Sequence, residues 1–332
     1  MFEVIDKIFS LDMGDRGVGH LYEPARAGNS DALCLTAARF FMDLKAGEHV
    51  FLLTGSLTRK WVSKRIAETD GPIGTAVLAR TLSYGFNAIP VVLIDELVQD
   101  KMVTMLQIAG LSVVDEEEAK AATSHIRPTR VAMVRTCSTL DAVARDECRS
   151  LVAFMVPKVV VAIERAGMTA DGTYRNSLAQ DFSDGRSRLD YIVSEASDRG
   201  IPTIGIGDGG NEIGMGNVPD AVARFIPLGD KICPVQKTDL LLPCGVSNWG
   251  AYAIAAAIAL LKGNPELAHQ PELEERLINA CPAIGFVEGF SGRLEPAVDA
   301  FPAAVHIAVV ELMLAAVKQG IVGVPVSKRT SW

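Results

Sequence analysis

Along the chain, short apolar bursts rich in β-branched residues alternate with longer stretches in which apolar positions recur at helical spacing. The bursts predict strands over His49–Thr54, Ile89–Asp95, Arg130–Arg135, Lys158–Glu164, Pro202–Gly207 and Asp239–Leu242. The longer stretches predict helices over Ser30–Leu44, Ile73–Tyr84, Leu97–Ala109, Ala142–Met155 and Arg188–Arg199. Strands without a polar face, separated by helices, indicate βαβ units whose parallel sheet is covered on both sides. From about residue 245 the pattern changes, and Asn248–Lys262, Glu272–Ala280 and Ala304–Gln319 read as helices with few strands between them. The expected fold is therefore α/β, a three-layer, mostly parallel sheet with helices on both faces and a helical C-terminal elaboration. No Pro/Ser-rich linker and no internal repeat divides the 332 residues, so 1–332 reads as a single domain.

Composition narrows the function classes. Apolar residues make up 49% of the chain and no low-complexity run interrupts it, which excludes disorder. The formal net charge of −8 argues against a phosphate-backbone binder, so no nucleic-acid partner is expected. The first residues carry Glu3, Asp6, Lys7 and Asp12 rather than a basic run followed by an apolar one. No stretch reaches membrane-spanning length, and a cytoplasmic protein without a membrane partner is expected. The six cysteines are scattered, with no C-x-x-C pair, and read as reduced thiols filling the core.

Open α/β sheets bind ligands at the carboxyl ends of their strands. The segment Gly205-Ile-Gly-Asp-Gly-Gly-Asn-Glu-Ile-Gly-Met-Gly216 follows one such strand and holds six glycines. Gly205, Gly207 and Gly210 match G-x-G-x-x-G, but Asp208 and Glu212 inside the loop would repel a pyrophosphate. Gly214, Gly216 and Pro219 also argue against a following helix, so no nucleotide is expected. A loop bent around a cation or an amine fits better, with Asp208, Asn211 and Glu212 as hard oxygen donors. Glu164-Arg165 after another strand reads either as a local ion pair or as part of the site. Asp70-Gly71-Pro72 reads as a helix start or as an acid beside a carboxylate-binding helix N-terminus. Ser247 or Asn248 reads first as an N-cap and second, for Asn248, as a ligand-binding amide.

Taken with Ala162-Ile-Glu-Arg-Ala-Gly167 and Asp171-Gly-Thr-Tyr174, the block Gly207-Asp-Gly-Gly-Asn-Glu212 resembles the D-glutamate cyclase family. Asp70-Gly-Pro72, Val246-Ser-Asn-Trp-Gly250 and Arg16-Gly17 are similar too, so the resemblance covers nearly the whole chain. The segment around Ser177-Leu178-Ala179 departs from the pattern, which leaves Asp181 without a role. The resemblance implies a lyase that closes D-glutamate to 5-oxo-D-proline with loss of water. On this reading the convergent acids assign Asp208, Glu212, Glu164 and Asp70 to a divalent metal, Mg²⁺ or Mn²⁺ with Ca²⁺ not distinguished. Glu164, Asp208 and Glu212 are the expected catalytic groups. Thr54, Gly55, Arg165, Gly209, Gly210, Asn211 and Asn248 are expected to bind the small amino-acid substrate. Two alternatives stay open, a metal-dependent hydrolase or phosphatase acting on another small acid and a non-catalytic nucleotide-binding module. The apolar C-terminal helices leave room for a homo-oligomer.

Overall fold

The computed structural model describes residues 1–55 and 57–323. Its centre is a seven-stranded sheet built from β1 (His49–Thr54), β2 (Ile89–Leu93), β3 (Ser112–Val113), β4 (Val131–Arg135), β5 (Val160–Ile163), β6 (Thr203–Gly207) and β7 (Leu240–Pro243). The order is β3-β4-β2-β1-β5-β6-β7 and every pairing is parallel. The helices of eight residues or more are α1 (Phe2–Phe9), α2 (Pro72–Phe86), α3 (Gln99–Ile108), α4 (Glu116–Ser124), α5 (Asp141–Met155), α6 (Asp190–Asp198), α7 (Ser247–Lys262), α8 (Pro271–Ile284) and α9 (Ala303–Val322).

Strand alternation sorts the core into two faces. Val50 and Leu52 of β1 pack into the cluster that contains Ile73, Ala76 and Val77 of α2 and Ala251 to Ala259 of α7. Phe51 and Leu53 point the other way, toward Cys148 and Val152 of α5 and Ile192 and Val193 of α6. Helices thus cover both faces, and the three-layer α/β arrangement holds. Apolar residues on both sides of each strand follow from that double cover.

The chain runs from β1 to β2, lays β3 at the edge, returns to insert β4 between β3 and β2, then crosses back to lay β5 on the other side of β1. The sheet therefore changes direction between β1 and β5, and a crevice opens at their carboxyl ends. Register places Thr54 beside Ile163 and Ile163 beside Ile206. The residues that follow (Gly55, Glu164 and Gly207) leave the sheet together.

Several boundaries differ from the sequence reading for physical reasons. Ser30–Leu44 shrinks to a helix over Leu33–Arg39, because the Asp6 carboxylate accepts the amides of Leu33 at 2.6 Å and Cys34 at 3.0 Å and fixes the start there. The helix expected to end at Ala280 continues through Pro282 to Ile284. Helix α4 lies outside the sequence expectations, although Asp115 and Glu118 form a reciprocal capping box at its start. The expectation that no segment reaches membrane-spanning length fails at α9. Its 20 residues are long and apolar enough to cross a membrane. One stripe of it, including His306, Val309, Val310, Met313 and Val317, is buried, its apolar members in the core cluster shared with α7 and α8. A core-facing stripe on a helix with few charges gives the same composition. All six cysteines are unpaired and five are buried.

Candidate metal centre and active site

Three carboxylates meet at the crevice. Asp70, Glu164 and Asp208 each offer an oxygen, and these atoms all lie within 4.8 Å of one another. Each comes from a different connection: the turn into α2, the end of β5 and the end of β6.

Local structure explains how they are held. Glu164 has φ +49, a left-handed conformation uncommon for a glutamate and of the kind that concentrates at functional sites. Ser247 Oγ donates to its Oε2 at 2.6 Å. Asp70 accepts the backbone amides of Ser247 at 3.0 Å and Asn248 at 2.9 Å, so it caps α7. Asn248 returns the contact: its Oδ1 accepts the amides of Gly71 at 2.9 Å and Gly74 at 2.7 Å and caps α2. The two helix N-termini are locked to each other across the site, and their dipoles favour negative charge there. Gly71, at φ +91, permits this turn, since a Cβ would come within 2.8 Å of Glu164 Cβ and 2.9 Å of Thr54 Oγ1. Asp208 accepts Arg16 Nη2 at 2.9 Å, and Arg16 Nη1 reaches Asp299 at 3.1 Å.

Glu212 has a different role from its neighbours. Its carboxylate folds back on the loop and accepts the amides of Asp208 at 3.3 Å, Gly209 at 2.6 Å and Gly210 at 2.8 Å. Those are the N–H groups a pyrophosphate would use after a β-strand. A glutamate side chain occupies the place such an anion would take.

The acids act strongly on one another. Burial and Asp208 push the Asp70 carboxyl well above the usual carboxylate range. Burial, Asp208, Glu212 and Asp70 do the same to Glu164, and burial with Asp208 raises Asp299. Burial and Asp208 raise Glu212 to about 7, against the opposing pull of its backbone donors. Burial works against the Arg16 charge, but Asp208 and Asp299 outweigh it and hold the guanidinium more firmly protonated. One arginine cannot neutralise so many acids, and carboxylates crowded in this way either keep protons or take up a cation. The donor set, carboxylate oxygen only, suits a hard divalent ion.

A cavity of about 450 Å³ opens onto Glu164 and Asp208 but not Asp70, and is lined also by Gly209, Asn211 and Glu212 among others. Of the expected substrate-binding residues, Gly209 and Asn211 line it; Asn211 also donates to the Arg175 carbonyl at 2.8 Å. Arg165 does not turn toward Glu164. It is buried, forms a two-point contact with Asp95 at 2.8 and 2.9 Å, and donates to the carbonyls of Thr54, Gly55 and Ser187. Gly55 thus contributes an acceptor to Arg165. Thr54 Oγ1 is buried behind Gly71 and has no hydrogen-bond partner among the described residues. Gly210, at φ +92, packs on Ile226 and Val222. Asn248 is buried as the cap described above. Tyr174 points inward and donates to Asp190 at 2.6 Å.

Sequence reasoning gives no site role to Arg16, Asp299 or the segment from Leu57 to Lys64, which contribute to the cavity wall. Arg16 carries a signal in Arg16-Gly17. Asp299 lies 91 residues beyond Asp208 (299 − 208), with nothing local to mark it.

Comparison with known proteins agrees with the residue pattern. A family model described as D-glutamate cyclase-like, C-terminal, matches residues 5–314. The human protein D-glutamate cyclase, mitochondrial, is 29% identical over 261 residues, covering 77% of this chain and 38% of that protein. The chain therefore spans well under half the length of that relative. A crystal structure of a substituted actinorhodin polyketide ketoreductase with NADPH aligns at 14% identity and a TM-score of 0.27, over 84% of this chain and 93% of that one. A score that low transfers neither fold nor cofactor. With 5–314 inside one family model, the chain belongs to the D-glutamate cyclase-like family and corresponds to its C-terminal unit.

Proposed function

We propose that this chain is a lyase that cyclises D-glutamate to 5-oxo-D-proline and water with help from a divalent cation. The observation that carries the reading is the meeting of Asp70, Glu164 and Asp208 at the sheet's change of direction, in a chain of this family. In the reaction the α-nitrogen attacks the γ-carboxyl carbon, an N–C bond forms and a C–O bond breaks. The ammonium gives up two protons, and the departing oxygen takes two and leaves as water.

Two proton transfers call for two carboxyl groups of unequal tendency to ionise. Glu164, raised by burial and its acidic neighbours and held by Ser247, is the base that takes a proton from the ammonium. Glu212, poised near neutrality, returns a proton to the departing oxygen. Asp70 and Asp208 would hold the cation, Mg²⁺ or Mn²⁺, beside Glu164, and its charge would supply polarisation of the γ-carboxylate. Arg16 fixes the Asp208 carboxylate, and the locked N-termini of α2 and α7 keep Asp70 in place. Closing a five-membered ring needs the substrate folded, and a confined cavity favours that conformer.

Incubation with D- and L-glutamate, with and without Mg²⁺ or Mn²⁺, followed by chiral detection of 5-oxoproline tests the reading. It expects metal-dependent lactam from the D-enantiomer. Release of phosphate or of a cleaved acid from other substrates, with no lactam, would replace it by a hydrolase.

A further inference from the structure

The cavity is a poor host for a dianion on charge alone. Eight carboxylates line it against four cations among the described residues, Arg16, Arg59, Lys60 and Lys64. Three of those cations are already committed. Arg16 holds Asp208 and Asp299. Lys64 pairs with Asp184 at 2.7 Å. Arg59 donates to the carbonyls of Gly289 at 2.9 Å and Phe290 at 2.7 Å, which ties the segment carrying it to the loop before Asp299.

Lys60 is the exception. It follows the Arg59 latch directly, lines the cavity, and has neither a hydrogen bond nor an ion pair among the described residues. It lies in the field of Asp181 and Asp184, whose own partners are Ser183 and Lys64. Glu164 and Asp208 of the acidic cluster and this uncommitted ammonium all line the same cavity. For the second carboxylate of a bound dicarboxylate, Lys60 is the lining cation not already paired among the described residues.

We infer that Lys60 binds the second carboxylate of the substrate and makes the site selective for dicarboxylates. This rests on the cyclase reading, in which that group is the α-carboxylate of glutamate. A charge-assisted hydrogen bond of this kind corresponds to about a tenfold change in affinity or more.

Glutarate and its monoamide provide the test, because neither carries an amine and neither can cyclise. Their dissociation constants are measured with saturating Mn²⁺ for the full chain, Lys60→Met and Lys60→Arg, with melting temperatures as a control on folding. The expected result is glutarate bound about tenfold more tightly than the monoamide by the parent protein, a gap lost in Lys60→Met and kept in Lys60→Arg. Equal affinities in the parent protein, no binding of glutarate, or a gap that survives Lys60→Met would overturn the inference. Because binding is read without turnover, a failed lactam assay would remove the cyclase reading and still leave this one decided by the affinities.

Discussion

Two adjacent residues, Glu164 and Arg165, open onto two buried electrostatic regions that are built in opposite ways. Arg165 meets Asp95 in a two-point ion pair with carbonyl acceptors at both guanidinium ends, all of it away from solvent, while its Nε has no partner among the described residues and the buried Arg186 lies in the field of both. Glu164 meets Asp70 and Asp208, where Arg16 alone offsets several acids and a cavity adjoins Glu164 and Asp208. The first arrangement sets a cation against an anion and fixes the path of the chain at the end of β5. The second is incomplete without protons or a cation. A compensated buried pair does structural work, whereas a surplus of one sign beside a cavity marks where chemistry is done.

Removing half of the matched pair is the harshest way to probe the contrast. Arg165→Met leaves Asp95 buried without its partner, and unfolding experiments should show a loss of about 3–5 kcal/mol. Asp208→Asn probes the unmatched side. It should lower turnover by roughly 10²- to 10⁴-fold, while the melting temperature holds or rises because one repelling charge is gone.

The pH response of the metal-free protein sharpens the same contrast. Glu212 is raised from 4.5 to about 7 in the folded state, so between those values the folded chain holds a proton that the unfolded chain releases. Its contribution to stability is fully present below about 4.5 and is lost as pH rises through about 7, an effect of roughly 3 kcal/mol at most. The melting temperature without metal should therefore fall from about pH 5 to about pH 8, and Mn²⁺ should reduce that fall. A flat profile would mean that the acids are compensated after all. The smallest effect is expected from the helix lock. Asn248→Ala removes the acceptor for Gly71 and Gly74 and should cost about 1–2 kcal/mol in denaturant unfolding.

Much of the fold is readable in the sequence because buried parallel strands leave unmistakable apolar runs. The starts of α2 and α7 are also marked, by Pro72 and by Ser247-Asn248. What cannot be read is which helix each cap serves. Asn248 looks like the cap of its own helix but closes α2, and Asp70 looks like the start of α2 but closes α7. Such exchange depends on two helix ends meeting in space. Asp208, Glu164 and Asp70 are legible as a cluster since all three follow strands or precede helices at one rim. Arg165 and Glu212 are not separable from them by residue type, because the difference lies in partners: Asp95 for one, three loop amides for the other. Arg16, Lys60 and Asp299 reach the cavity through connections whose sequences carry little periodicity.

The central claim is that the unmatched carboxylates form a divalent-cation site. Calorimetric titration of Mn²⁺ into the metal-free protein and into Asp208→Asn, repeated in buffers of different ionisation enthalpy near neutral pH, tests it most directly. The account predicts one ion per chain, bound with release of protons from the raised carboxyls, and affinity reduced by about tenfold or more in Asp208→Asn. Equal binding by the two proteins, or no binding by the parent chain, would contradict it.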